Sequence, residues 1–501
     1  MPTPPPLALA ALATLALAAL AACAPRAAAR PAPPPGPAAA PVAPATALAT
    51  FDTAWTRIRD SHYDSTMRGV DWPAVRTELR PRAAQARTVG ELRGVIRDML
   101  DRLGESHFVI IPREAVEAIE APASPAPATT PATAPASDGA ARTPASPAAA
   151  TAHHSPGDAP DPPDVPGDVG VTLRLVGDRL LVTRVDSGSP AAAAGVRTGW
   201  TLDSVATFSS RTLAPALAHL TTEDERREAI LRIPRTVARL LDGPAGSRVD
   251  VTFGDAADAR VTHALTRRAT PGEPIRFGNL PVFVAHATHE RHPAPGGGCV
   301  GVIRFNVWMT PLLPALDRAV DAVRDCRGIA VDLRGNPGGV GGMVMGFGGH
   351  FFPDLTPLGV MKTRRGELRF VANPRRVDSH GRSTRPYAGP VAIVVDPLTV
   401  STSEIFAAGM QTAGRARVFG ETSAGQALPA LAGRLPNGDV LMHVVADFTA
   451  PDGRRIEGRG VVPDQPVPLT RADLLAGRDA PVDAALTWLR TQPAVPRPTT
   501  P

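Results

Sequence analysis

Apolar residues in this chain fall into three rhythms, each predicting a different kind of structure. In the C-terminal half they form short continuous runs. Residues 391–395, Val-Ala-Ile-Val-Val, are apolar throughout and mostly β-branched, as in a strand buried on both faces. Comparable runs at 300–305, 329–333 and 416–419 alternate with helical patterns at 312–324 and 401–411, which predicts an α/β core with parallel strands. A last helix is expected at 480–489. In the middle of the chain, strands at 171–176 and 180–185 flank a tight turn, a short helix follows at 189–196, and alternating strands occupy 248–253 and 260–267. Residues 167–268 therefore read as a compact β-rich module. Towards the N-terminus the period is helical, with Phe51, Trp55 and Ile58 on one face and Leu92, Ile96, Met99 and Leu100 on another. Gly104 is placed to end that segment before a short strand at 108–111.

Composition separates these pieces. The 501 residues include 56 prolines and only 4% aromatics, although 43% hydrophobic content is enough for globular folding. Residues 24–46 read as an Ala/Pro tether, and 113–166, rich in Ala, Pro, Thr and Ser, as a linker unable to form a core. His153 and His154 fall in that linker and read as solvated. The 53 basic and 48 acidic residues leave a net charge of +5 without a dense basic run, so nucleic acid is not implied as a partner. The apolar run 7–22 ends in Leu20-Ala21-Ala22-Cys23 and resembles a bacterial lipoprotein signal, with Cys23 as the lipidated residue. Its leading segment lacks Lys and Arg, and an uncleaved anchor is the alternative. Both readings place the bulk of the protein outside the cytoplasm, where Cys299 and Cys326 could pair; buried free thiols remain an equal alternative. No His/Cys cluster has metal-ligand spacing.

Candidate chemistry concentrates at three turns. Strand 391–395 leads through a Pro-containing turn to the helix at 401–411, offering Thr402, Ser403 and Glu404 at a helix N-terminus, where backbone N–H groups can face developing negative charge. The Ser401/Glu404 spacing is also that of a capping box, which would make Ser403 an ordinary first-turn serine. The turn Arg334-Gly335-Asn336-Pro337-Gly338-Gly339 lets backbone approach a ligand closely but lacks the Gly-Lys-Ser/Thr of a phosphate loop. His107 lies in the turn Gly104-Glu105-Ser106-His107 and, taken alone, is more simply a surface or cap residue.

Taken in order, these segments resemble the carboxyl-terminal processing and tricorn-type serine proteases. The resemblance rests on Gly-Glu-Ser-His, on Asp332-Leu333-Arg334-Gly335-Asn336-Pro337-Gly338-Gly339, on Ser401-Thr402-Ser403-Glu404-Ile405, and on the tail around Glu457 and Pro463-Asp464. The run 189–205 resembles a PDZ domain, with Trp200 where an Asp is usual. The implied architecture is a multidomain α/β protein: signal 1–23, tether 24–46, helical segment 47–112, linker 113–166, PDZ-like domain 167–269, crotonase-like (ClpP/crotonase) core 270–470, and C-terminal helix and tail 471–501.

The resemblance implies Ser403 as nucleophile. Gln426 stands at the lysine position of the Ser–Lys branch and cannot act as a base, and Lys362, the single lysine, lies well upstream. The tricorn-type branch instead implies His107 as base, oriented by Ser106 and Glu457, with N–H groups of Gly338, Gly339 and Glu404 forming an oxyanion hole. The expected activity is a serine endopeptidase acting on extracytoplasmic polypeptides, anchored to the membrane by its N-terminal lipid, with PDZ-assisted capture of extended peptides, including at a C-terminal carboxylate contacted by the loop before Val171, and no metal or organic cofactor. The alternatives are an inactive peptide- or ligand-binding relative of the same fold, or an envelope scaffold.

Overall fold

The computed structural model describes residues 39–114, 165–276 and 283–493. The signal run, Cys23 and most of the tether and linker lie outside the described residues. Among the described residues, no helix is long and apolar enough to cross a membrane.

Three helices, Pro44–Ser61, Trp72–Gln85 and Val89–Asp101, open the fold. Their apolar stripes converge: Phe51, Ala54, Ile58, Leu79, Leu92, Ile96 and Met99 are fully buried. Trp55 and Trp72 stack and each donates its indole N–H to the other's carbonyl, at 2.9 and 3.2 Å. Thr88 and Glu91 close a capping box at the third helix. This core continues into Ile110, Leu435 and Leu441 because strand Val109–Ile111 pairs antiparallel with Val440–Val444, itself hairpinned to Ala430–Arg434. Buried Arg93 also grips Asp439 with a two-pronged ion pair, at 2.6 and 2.9 Å. The helical segment is thus stitched into the C-terminal half, and the turn carrying His107 is fixed between them.

The β-rich module is an antiparallel sheet in the order Val171–Val176, Arg179–Val185, Thr201–Val205, Arg248–Gly254, Arg260–Thr266. Pattern reading missed its main helix, Glu223–Leu241. There the apolar positions are scattered among Arg and Glu, and Pro234 lies inside. A capping box between Thr222 and Glu225 starts it, and Val237 and Leu241 pack into the module's core.

The core sheet runs Ala287–Pro293, Cys299–Phe305, Gly328–Asp332, Val391–Val395, Ala416–Gly420, Gln465–Pro466. The first pair is antiparallel and every later pair parallel. Helices Leu313–Val323 and Thr402–Thr412 pack against one face. Helix Ala480–Thr491 covers the other, burying Val482, Ala485, Leu486 and Leu489 against Val300, Ala330, Val394 and Phe419. The expected C-terminal helix is therefore part of the core, because a parallel sheet needs both faces covered. Cys299 and Cys326 are joined, S–S 2.08 Å, linking the start of one strand to the turn just after the following helix.

Three turns leave the carboxyl ends of adjacent parallel strands: 333–339, 396–401 and 421–427. Open α/β sheets bind their ligands at such an edge.

Candidate active site

Val395 ends its strand at Asp396, whose buried carboxylate accepts from Leu398 N–H, the Thr399 hydroxyl and Gly335 N–H, each at 3.0 Å. One side chain thereby shapes the turn and ties it to the glycine turn beside it. The chain then folds sharply through Ser401, at φ 58° and ψ −120°, before helix Thr402–Thr412 begins. A non-glycine residue there is strained, and such strain gathers at functional sites. Glu404 reaches back and accepts from Ser401 N–H at 2.9 Å.

Ser401 is only partly buried, whereas Ser403 is fully buried. The Ser403 hydroxyl accepts from the Trp308 indole N–H at 2.8 Å, and the Trp308 ring is packed against Phe305, Phe347 and Phe406. The expectation makes Ser403 the nucleophile; in this structure its hydroxyl is closed off from solvent. The signal was present in the sequence: Ser403, Phe406, Ala407 and Met410 share one face at helical spacing, and all are fully buried.

His107, also in the left-handed region at φ 62°, is brought to Glu457 across the fold. Ser106 donates both its N–H and its hydroxyl to the Glu457 carboxylate, each at 3.0 Å. The Ser106 oxygen lies 2.7 Å from His107 Nδ1. Because that hydroxyl hydrogen goes to Glu457, the network assigns the proton to Nδ1 and leaves Nε2 with a free lone pair. Although part of His107 remains accessible, protein packed around the ring disfavours its charged form. Burial first, and the Arg235 charge second, lower its pKa to about 4. Burial also raises the Glu457 carboxyl.

Turn 421–427 couples the two halves. Glu404, fully buried, accepts from the Ser423 hydroxyl at 2.6 Å, Gly425 N–H at 2.7 Å and Gln426 N–H at 3.0 Å. Gln426 carbonyl accepts from Ser401 N–H at 2.9 Å, and the next residue, Ala427, donates to Glu457 at 2.8 Å. Among the described residues no hydrogen bond joins His107 to Ser401 or Ser403.

Two of the three expected oxyanion donors are engaged within the protein. Gly338 N–H goes to Asn336 Oδ1 at 3.0 Å, and Glu404 N–H to Ser401 carbonyl at 2.8 Å. Gly339 N–H has no partner among the described residues. Glycine is required at both positions: a Cβ on Gly338 would lie 2.7 Å from Ser401 Cβ, and one on Gly339 would lie 2.1 Å from Trp308 carbonyl. Lys362 lies on strand Thr356–Thr363 beside Glu367. Gln426 turns its side chain to Glu228, 3.3 Å away.

Helix Glu223–Leu241 of the β-rich module also reaches this site, which pattern reading did not anticipate. Leu231 packs with Leu398, Val400 and Ala424, and Arg227 donates to Gly458 carbonyl. Arg235 donates to Leu398 carbonyl at 3.2 Å.

Residues 299–467 match peptidase family S41, and residues 44–101 match the tricorn protease C1 domain. The chain carries a peptidase S41 domain. All three turns of the site fall inside the S41 match, while His107 lies just beyond the C1 match. The chain is 24% identical over 299 residues to carboxyl-terminal-processing peptidase 2, chloroplastic, of Arabidopsis thaliana, covering 58% of this chain and 50% of that protein. It is 22% identical over 308 residues to a probable CtpA-like serine protease of Staphylococcus haemolyticus, covering 60% and 53%. It thus spans about half the length of these curated relatives. The fold is similar to that of the photosystem II D1 C-terminal processing protease, with TM-score 0.52 and 20% identity over 87% of this chain and 98% of that one. It is also similar to mature CPAF, with TM-score 0.51 and 12% identity over 89% and 96%.

Proposed function

We propose that this S41 chain is a serine-type endopeptidase in which Ser401 is the nucleophile and His107 the base. The observation that carries this reading is the strained, partly buried Ser401 at the strand–helix elbow, joined through one turn to the Ser106–His107–Glu457 network. Ser401 Oγ attacks the scissile carbonyl carbon while His107 Nε2 takes its proton. The tetrahedral oxyanion then collapses, the C–N bond breaks, and the imidazolium returns the proton to the departing amine. Water, deprotonated by the same nitrogen, hydrolyses the acyl-enzyme. Ser106 and Glu457 hold the tautomer and stabilise the transient imidazolium. Gly339 N–H is the available oxyanion donor, and Gly338 joins it on release from Asn336.

The β-rich module is read as PDZ-like, with Val171–Val176 as the edge strand to which an extended peptide adds. The core is read as crotonase-like. Processing of polypeptides outside the cytoplasm, by a protein lipid-anchored at Cys23, is the reading the N-terminal sequence favours. The test is labelling by a fluorophosphonate probe. The parent and Ser403→Ala should react, whereas Ser401→Ala should not and His107→Ala should react slowly. An unreactive parent favours the binding or scaffold alternatives, and labelling that survives Ser401→Ala moves the nucleophile elsewhere.

A further inference from the structure

Glu105 precedes Ser106 and His107 in the chain and takes no part in the proton transfer described above. Its carboxylate is sealed from solvent, 1% exposed, and receives four donors: His62 Nε2 at 2.9 Å, the Tyr63 hydroxyl at 2.6 Å, Arg68 at 3.0 Å and Arg455 at 3.1 Å. Burial works against its charge, but the bonds from His62, Tyr63 and Arg68 prevail and hold the carboxyl at about 2. The donors come from both halves of the fold. His62 and Tyr63 directly follow the first helix, whereas Arg455 lies two residues before Glu457. Arg455 is itself fixed by both oxygens of Asp447, each at 3.0 Å. Two contacts therefore run side by side across one junction, Glu105 to Arg455 and Ser106 to Glu457. His62 also grips the far flank, its ring stacking on Phe108 with centroids 6.1 Å apart. Residues 105 and 108 are thus held on either side of 106 and 107. The turn needs that support. Gly104 and His107 are both left-handed, at φ 60° and 62°, and among the described residues neither the Glu105 nor the His107 N–H makes a backbone hydrogen bond.

We propose that Glu105 is a positioning residue for His107: gripped by His62 and Arg455, it sets the backbone from which the imidazole reaches the nucleophile. This rests on the peptidase reading and adds a residue to it. Ser106 and Glu457 orient the ring, and Glu105 fixes where the ring is carried. A displaced base slows proton transfer but leaves substrate binding alone, so its loss falls on kcat and spares KM.

The test is a double-mutant cycle on the full chain, with kcat and KM measured for one peptide substrate and folding checked by urea unfolding. Glu105→Ala should lower kcat about tenfold or more and change KM by less than about twofold. Glu105→Gln keeps an acceptor oxygen but loses the charge that Arg68 and Arg455 face. It should fall between Glu105→Ala and the parent, and it carries the cycle if the alanine variant does not fold. In a His107→Ala background either substitution should change the residual rate by less than about twofold, because a residue acting through the imidazole then has nothing to position. A merely structural role would lower the rate by the same factor in both backgrounds. That result overturns the proposal, as does a parent-like kcat in both Glu105 variants. The cycle also separates the two readings. A parent that does not hydrolyse the peptide, or whose rate His107→Ala leaves unchanged, removes the peptidase reading and the proposal together. A His107-dependent parent rate with equal losses in both backgrounds removes the role of Glu105 alone.

Discussion

The indole N–H of Trp308 donates to the hydroxyl of Ser403 at 2.8 Å, inside a cage of phenylalanine rings. Ser403→Ala would leave that buried N–H without an acceptor, which costs about 1–3 kcal/mol. The expected result is a protein less stable in urea unfolding by that amount yet still able to hydrolyse peptide. Ser401→Ala should abolish turnover while lowering stability only by its capping energy, about 1 kcal/mol. An inactive Ser403→Ala beside an active Ser401→Ala would exchange the two roles.

The acid limb of the pH–rate profile is the second prediction. An unperturbed histidine base would lose activity as pH falls through roughly 6–7. In this structure burial and the Arg235 charge lower the His107 pKa to about 4. The neutral base therefore persists to lower pH, and kcat/KM should decline only around pH 4. Removing the positive charge in Arg235→Gln should move that limb upward. Lys362→Ala should leave the profile unchanged, while His107→Ala should lower the rate by a factor of about a hundred or more.

Glu404 gives a third prediction, for stability. Burial pushes its carboxyl up to about 7, against the donors from Ser423, Gly425, Ser401 and Gln426 that favour the charged form. A group whose folded pKa is raised above its unfolded value near 4.5 stabilises most below that value. Its contribution fades as pH rises through about 7. Glu404→Gln should flatten this part of the stability–pH curve measured by denaturant unfolding. It should also cost about 1–3 kcal/mol, because an amide N–H₂ would then face backbone donors.

The Cys299–Cys326 bond closes a loop with a sequence separation of 27. Loop-closure entropy assigns it about 3.5 kcal/mol. Replacing both cysteines by alanine should lower the unfolding free energy by up to that amount and leave peptide hydrolysis intact at temperatures where the fold persists.

The parallel core was legible because strands buried on both faces are written as unbroken apolar runs, and Val391–Val395 occupies the residues its run marked. The turns were legible as well, since Gly338 and Gly339 meet contacts that admit no side chain. Choosing the serine was harder. Helix onset decides which first-turn hydroxyl faces the core, and a one- or two-residue uncertainty there exchanges Ser401 for Ser403. Helix Glu223–Leu241 escaped because many of its outward residues are Arg and Glu and the surface it covers belongs to another part of the chain. The destinations of the Gly338 and Glu404 N–H groups depend on Asn336 and on the local turn, which no motif encodes.

The contact between Ser106 and Glu457 spans 351 positions of sequence. During synthesis the histidine emerges first, the serine elbow some three hundred residues later, and the orienting carboxylate after both. On the proposed reading, a nascent or truncated chain ending before Glu457 holds base and nucleophile without the group that aligns them. Proteolytic competence then arrives only once Glu457 has been made and folded against Ser106, which gives the cell that makes such an enzyme a built-in delay.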